Sequence, residues 1–185
     1  MKKEKSTDKI MSFKRYPLSH VFIYNGMTAI HVLLGAMGII YGYDFTWAGK
    51  LIGYSYLAFA FIQWVVVMPL TVCPACDYFR IKDSRCISGF NIISRRIWNR
   101  SEKKDLSRRN KGFFCHNHLV VMSLVIPIVI MIHALIFNFS LFLLFLLIIV
   151  IGLMLFRILV ILPRLACIHC LAKKKCPNAD SIGIL

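Results

Sequence analysis

The sequence is short of acidic residues. Eight Asp and Glu stand against 23 Lys and Arg, which leaves a formal charge of +15 on 185 residues. None of the eight falls inside the long apolar runs, so no intramembrane carboxylate is present to relay protons or to pair with a cation. No nucleophile–base pair and no paired carboxylates stand at catalytic spacing, so an enzyme finds no support. No small-residue cleavage site follows the first apolar run, which is therefore read as an uncleaved span rather than a targeting peptide. What the chain has in abundance is apolar side chain, with 58% hydrophobic residues and a mean hydropathy of +0.69. A water-soluble domain of this size cannot bury so much. Apolar runs separated by basic blocks indicate an all-α, multi-pass membrane protein.

Four runs are expected to cross the bilayer: Ser19 to Tyr43, Leu51 to Val72, Leu119 to Phe137 and Leu141 to Pro163. Each is near the roughly 20 residues that a helix needs for the hydrocarbon core. Gly26, Gly35, Gly38 and Gly42 permit close helix approach in the first. Trp47 and Tyr54 are outer interfacial anchors for the second, and Pro69 bends its inner end. Of the 23 Lys and Arg, 22 lie in the 1–18 arm, the 73–118 loop and the segment from Arg157 onward, which alternation places on one side. The positive-inside rule then puts both termini and the loop in the cytoplasm, and the protein in the cytoplasmic (inner) membrane. The expected organisation is a basic arm over 1–18, a four-helix bundle with its loop over 19–163, and a tail over 164–185. Arg157 lies six residues before Pro163, about 9 Å from that helix end, and is expected to snorkel to the interface.

The basic loop opens with Cys73-Pro74-Ala75-Cys76, adds Cys86, and closes with Cys115-His116-Asn117-His118; the tail answers with Cys167-Ile168-His169-Cys170 and Cys176-Pro177. Seven cysteines on the cytoplasmic side argue against a disulfide framework and for metal binding or electron exchange. Two C-x-x-C pairs at helix ends can complete one four-sulfur site, with the membrane bringing the halves together. The candidate ligands are Cys73, Cys76, Cys86, Cys115, His118, Cys167, Cys170 and Cys176, in one shared site or in two. Zinc and an iron–sulfur cluster match them equally, although the compact C-x2-C-x2-C run of bacterial ferredoxins is missing. Dithiol exchange through either pair is an alternative. So is soft-metal transport, although the spans contain no cysteine.

Between Cys86 and Cys115, Phe90, Ile93 and Ile97 recur at helical spacing beside Trp98, Arg95, Arg96 and Arg100. This is an amphipathic helix suited to the cytoplasmic leaflet. The positive-inside rule already accounts for the basic charge, so no nucleic-acid partner is expected. The expected partners are the lipid bilayer and a cytoplasmic redox or metal-handling protein. His31 and His133, at similar depth when counted from the inner helix ends, form the pair for a b-haem reading.

The set Cys73-Pro74-x-Cys76-x-Tyr78, Cys86 and Cys167-x2-Cys170-x5-Cys176-Pro177 resembles a group of small, uncharacterised prokaryotic four-helix membrane proteins. These carry a CPxC loop after the second helix and a CxxC tail with Cys-Pro after the fourth. The resemblance implies the helix order and a cysteine site and supplies no reaction.

Overall fold

The computed structural model describes residues 12–97, 118–171 and 173, without the side chains of 75 and 118–120. The basic arm over 1–11, the stretch 98–117 with its Trp98 and Arg100, and most of the tail beyond 171 lie outside the described residues. Among those described the fold is all helical, apart from one isolated bridge between Arg15 and Arg85. α1 is Leu18–Gly42, and α2 is Trp47–Ile62, continuing as a π-helix over Gln63–Val72. A 3-10 turn at Cys73–Ala75 leads into the short α3, Asp77–Arg80, and then α4, Asn91–Ile97. α5 is His118–Phe137, and α6 is Leu141–Phe156, continuing as a π-helix over Arg157–Cys167.

Among the described residues, three helices are long and apolar enough to cross a membrane: Leu18–Gly42, Trp47–Val72 and Leu141–Cys167. α5 lies beside them with a shorter apolar stretch, Val121–Phe137. α1 is the central element and packs against α2, α5 and α6. Its glycines Gly35, Gly38 and Gly42 lie against Pro127, Met131 and Ala134 of α5, so close that a β-carbon at any of the three would collide. Gly26 has open space around it and takes no part in this contact. Ile39, Met131, Leu143 and Val150 are fully buried in the resulting core. Large apolar side chains such as Phe61, Ile136, Phe145 and Leu159 point outward, the arrangement expected of a bundle solvated by lipid.

Pro127 explains one of the few polar contacts in the bundle. A proline has no N–H to give to the carbonyl four residues earlier, here that of Ser123. The hydroxyl of Tyr56, from α2, donates to that carbonyl at 2.8 Å. Buried between helices, the orphaned group has no water to turn to, so a neighbouring helix supplies the bond.

The two ends of the bundle differ in character. At one end, the Asp44–Phe45 turn, with both residues at positive φ, meets the link between α5 and α6. There Asn138 Nδ2 donates to Asp44 Oδ2 at 3.1 Å. Trp47 and Tyr54 are exposed near this end, as befits interfacial anchors. The chain entering α1, the segment after α2 and the segment after α6 all meet at the other end.

Replacing Gly35 by Leu is expected to lower stability by about 1–3 kcal/mol through overpacking against the rigid proline ring. Gly26→Ala should cost nothing, and thermal unfolding in detergent makes the comparison. Tyr56→Phe should cost about 1–2 kcal/mol, the usual result of leaving a buried carbonyl unpaired. An unchanged midpoint would mean that Ser123 finds another donor.

Candidate metal centre

The two C-x-x-C turns are built alike. Each follows a π-helical segment with a proline four residues ahead of its first cysteine, Pro69 before Cys73 and Pro163 before Cys167. Proline interrupts the ordinary i to i−4 ladder, and the helix answers by widening to five-residue bonds. Cys73 N donates to Met68 O, and Ile168 N donates to Pro163 O at 3.2 Å. Each turn then closes in the same way, with Cys76 N to Cys73 O and Cys170 N to Cys167 O, both at 3.1 Å. P-x3-C-x2-C is thus one structural unit used twice, at the same end of the bundle. The repeat was readable in the sequence through its prolines. Reading Pro163 as the end of the fourth span concealed it, since the helix runs on to Cys167.

A third segment brings in Cys86. Asn91, at the start of α4 and 1% exposed, ties the loop around it. Its Nδ2 donates to Ser84 O at 3.0 Å and Tyr78 O at 3.3 Å, and its Oδ1 accepts from Cys86 N at 3.1 Å. Arg95 adds bonds to the carbonyls of Ile81, Ser84 and Asn91. α4 therefore buries a polar face, Asn91 and Ser94, and turns Ile92, Ile93 and Ile97 outward. That distribution is inverted for water and correct for a helix resting on lipid.

The chain before α1 forms a strap across these segments. Tyr16, 1% exposed, donates its hydroxyl to Ala166 O at 2.5 Å, capping the final turn before Cys167. Tyr78 donates to Phe13 O at 2.6 Å and accepts from Leu171 N at 3.3 Å, so one hydroxyl joins strap, loop and tail. Phe13 N donates to His169 O at 2.9 Å, and the two rings stack with centroids 4.4 Å apart.

Cys73, Cys76, Cys86, Cys167 and Cys170 all line one cavity of about 180 Å³, with Tyr16, Tyr24, Met68, Tyr78 and Lys173 among the other walls. None of the five is in a disulfide. Among the described residues, no three His, Cys, Asp or Glu side chains group closely enough to hold a single metal ion. Cys115 and Cys176 lie outside the described residues, as does the side chain of His118. The structure thus brings five of the eight expected ligands to one cavity and does not describe the other three.

The local electrostatics separate two of the chemistries open to these thiols. Burial pushes the Cys73 thiol up, and the neighbouring Cys86 and Cys76 add to the effect. Burial also pushes Cys76 up, to about 12, against a smaller opposing effect from a Tyr78 backbone hydrogen bond. An attacking thiol needs the opposite shift, because the thiolate is the nucleophile. The first pair is therefore poorly suited to dithiol exchange and suited to donation only when a metal displaces its protons.

The two histidines expected within the membrane are not brought together. His31 is buried, with Nε2 3.1 Å from Leu124 O, whereas His133 is exposed, with Nδ1 3.0 Å from the Tyr43 hydroxyl. Leu124 and His133 are nine residues apart on α5, a rise of about 13.5 Å. The equal-depth expectation fails because α1 and α5 do not start at one level. The first turns of α1 lie beside the cysteine loop, where Asn25 Nδ2 donates to Ser88 O at 3.0 Å.

Arg157 does not snorkel. It is 4% exposed, its guanidinium lies 5.0 Å from the Tyr24 ring centre, and Nη2 donates to the Tyr24 hydroxyl at 3.3 Å. Its Nη1 is buried without a partner. The physical reason is the longer helix: ten residues, rather than six, separate Arg157 from the helix end at Cys167.

In metal-free protein, Cys73 and Cys76 are expected to resist maleimide at pH 7. Because burial favours the protonated thiols, their reactivity should appear only as pH rises well past the ordinary cysteine range of about 8.5. Labelling followed by peptide mass mapping, with unfolded protein as reference, measures this. Rates at pH 7 equal to those of the unfolded chain would show a reactive rather than a shielded pair.

No family model, no curated protein and no solved structure matches this chain.

Proposed function

We propose that this protein is a membrane-anchored electron-transfer module of the cytoplasmic membrane. Four helices cross the bilayer, both termini are cytoplasmic, and the loop and tail share one thiolate-ligated iron–sulfur centre that serves a cytoplasmic redox partner. The observation that carries the reading is the convergence of five cysteines, from three separate segments, on one cavity of about 180 Å³. A single zinc holds four sulfurs about 2.3 Å from one point, and hence about 3.8 Å from one another. A cluster of several irons takes its thiolates around a larger body, and the cavity lined by these thiols has room for one. When bound, the cluster would supply one-electron chemistry, and the protein would supply the thiolates, the surrounding charge and the exclusion of water.

Charge supports the same reading. A buried guanidinium is costly unless a counter-charge answers it. Arg157 bonds Tyr24, which lines the cysteine cavity, and Lys173 lines it directly. A centre held by four thiolates is anionic and gives these cations a partner. Transport of a soft metal across the bilayer has less support. The described cysteines all sit at one end, and Ile39, Met131 and Leu143 fill the bundle core. The positive-inside distribution supports the orientation, and the four-helix family that the sequence resembles adds no reaction.

The test is the visible spectrum of protein purified in detergent without oxygen, before and after dithionite, with metal analysis. The expected result is a broad band that bleaches, lost in both Cys73→Ser and Cys170→Ser. A colourless protein holding zinc would replace the cluster with a structural ion, and a sharp Soret band would replace it with haem. Full metal content in either variant would end the shared site.

A further inference from the structure

A second cavity, of about 270 Å³, lies beside α4 and is lined by Arg15, Arg85, Arg95 and Arg96 with Asp83, Ser84 and Ile92. Four cations face one carboxylate there. Two of the guanidiniums are fixed by the fold. Arg85 Nε donates to Tyr16 O at 2.9 Å, and Arg95 is held by the carbonyls of Ile81, Ser84 and Asn91. Arg15 and Arg96 are exposed, and neither side chain has a hydrogen-bond or ion-pair partner among the described residues. Arg15 and Arg85 are also forced side by side by the backbone, through Tyr16 N to Arg85 O at 3.0 Å and Arg85 N to Lys14 O at 3.2 Å. Like charges held together in this way are relieved by an anion with several acceptor oxygens, which arginine forks recognise well.

The position of the cavity narrows the source of that anion. Arg15 stands three residues before α1, a helix long and apolar enough to span a membrane, so the cavity lies at the level where such a helix enters the bilayer. Ile92 lines the cavity and also belongs to the outward face of α4, where Ile92, Ile93 and Ile97 are 45%, 42% and 56% exposed. A soluble phosphate ester has no use for that apolar flank. A phospholipid has an anionic head beside its acyl chains, and clustered basic residues on this side of a membrane bind such heads.

We propose that the Arg15–Arg85–Arg95–Arg96 cavity binds the headgroup of an anionic phospholipid, with its chains along the isoleucine face of α4. The site rests on the membrane reading of the apolar helices and is independent of any metal. It also reaches the cysteine cavity, because Arg15 and Arg85 belong to the bridge that fastens the strap carrying Tyr16. A bound headgroup would relieve the repulsion within that bridge and hold the strap closed.

The experiment is native mass spectrometry of the full chain, released from detergent after titration with phosphatidylglycerol or phosphatidylcholine. The native protein is expected to retain phosphatidylglycerol in preference. Arg15→Gln/Arg96→Gln should lose that preference by about tenfold or more while keeping its metal content and unfolding midpoint in neutral detergent. Lys103→Gln/Lys104→Gln removes the same charge from the loop and should leave retention unchanged. Equal loss in both double variants would reduce the effect to diffuse charge and overturn the site. So would equal retention of the two lipids. Displacement of the lipid by inorganic phosphate at millimolar concentration would assign the cavity to a soluble anion instead.

Discussion

A proline inside a membrane helix leaves a carbonyl without its donor, and hydrocarbon offers no water to replace it. Three prolines set this problem, and most of what distinguishes this bundle from a plain set of apolar helices is the answer to it. At Pro127 the answer comes from outside the helix, as the Tyr56 hydroxyl on the Ser123 carbonyl. At Pro69 and Pro163 the helix itself changes, widening into π turns. The widened turn shifts the rotational phase of everything that follows, and each C-x-x-C closes with the same bond. Bringing the two pairs to one cavity is then a consequence of the two antiparallel connections that link α2, α5 and α6.

The strap, loop and tail are joined by side chains reaching backbone groups, which is what irregular segments need at a lipid boundary. Tyr16, Tyr78, Asn91 and Arg95 between them satisfy carbonyls of Phe13, Ala166, Tyr78, Ser84 and Ile81. Each bond contributes modestly, about 1 kcal/mol, but leaving the same group unpaired costs more. The asymmetry explains why Ser84 and Asn91 in the loop, like Thr28, His31 and Ser123 within the bundle, are buried with polar groups beside them.

Hydropathy and charge made the helices and their common basic end legible, since both are summed over many residues. Cysteine spacing likewise made the two C-x-x-C turns legible, because the turn that closes each is local. What could not be read were quantities set by how one helix sits against another. The depth of His31 relative to His133 depends on where α1 starts against α5, and no pattern within either helix encodes that offset. Arg157 was misplaced by the same kind of error, because a helix passing through Pro163 buries a residue that a helix stopping there would expose. Tyr16 was hidden differently, as one aromatic in a basic arm whose role exists only once Ala166 and Arg85 are beside it.

Arg157 and the buried thiols also constrain each other. Taken alone, a buried guanidinium in a bundle without carboxylates is destabilising by several kcal/mol. Taken alone, thiols whose protons are held by burial are poor ligands. The metal centre proposed above would reverse both terms together: the ligands would lose their protons on binding it, and the negative charge they gained would offset the cation behind Tyr24. Each element is a liability without the other, and on that reading the energetic link between them would run through the cavity's occupant. On the proposed reading, metal binding would be part of the folding free energy of the whole cysteine end of the bundle, rather than an addition to a finished structure.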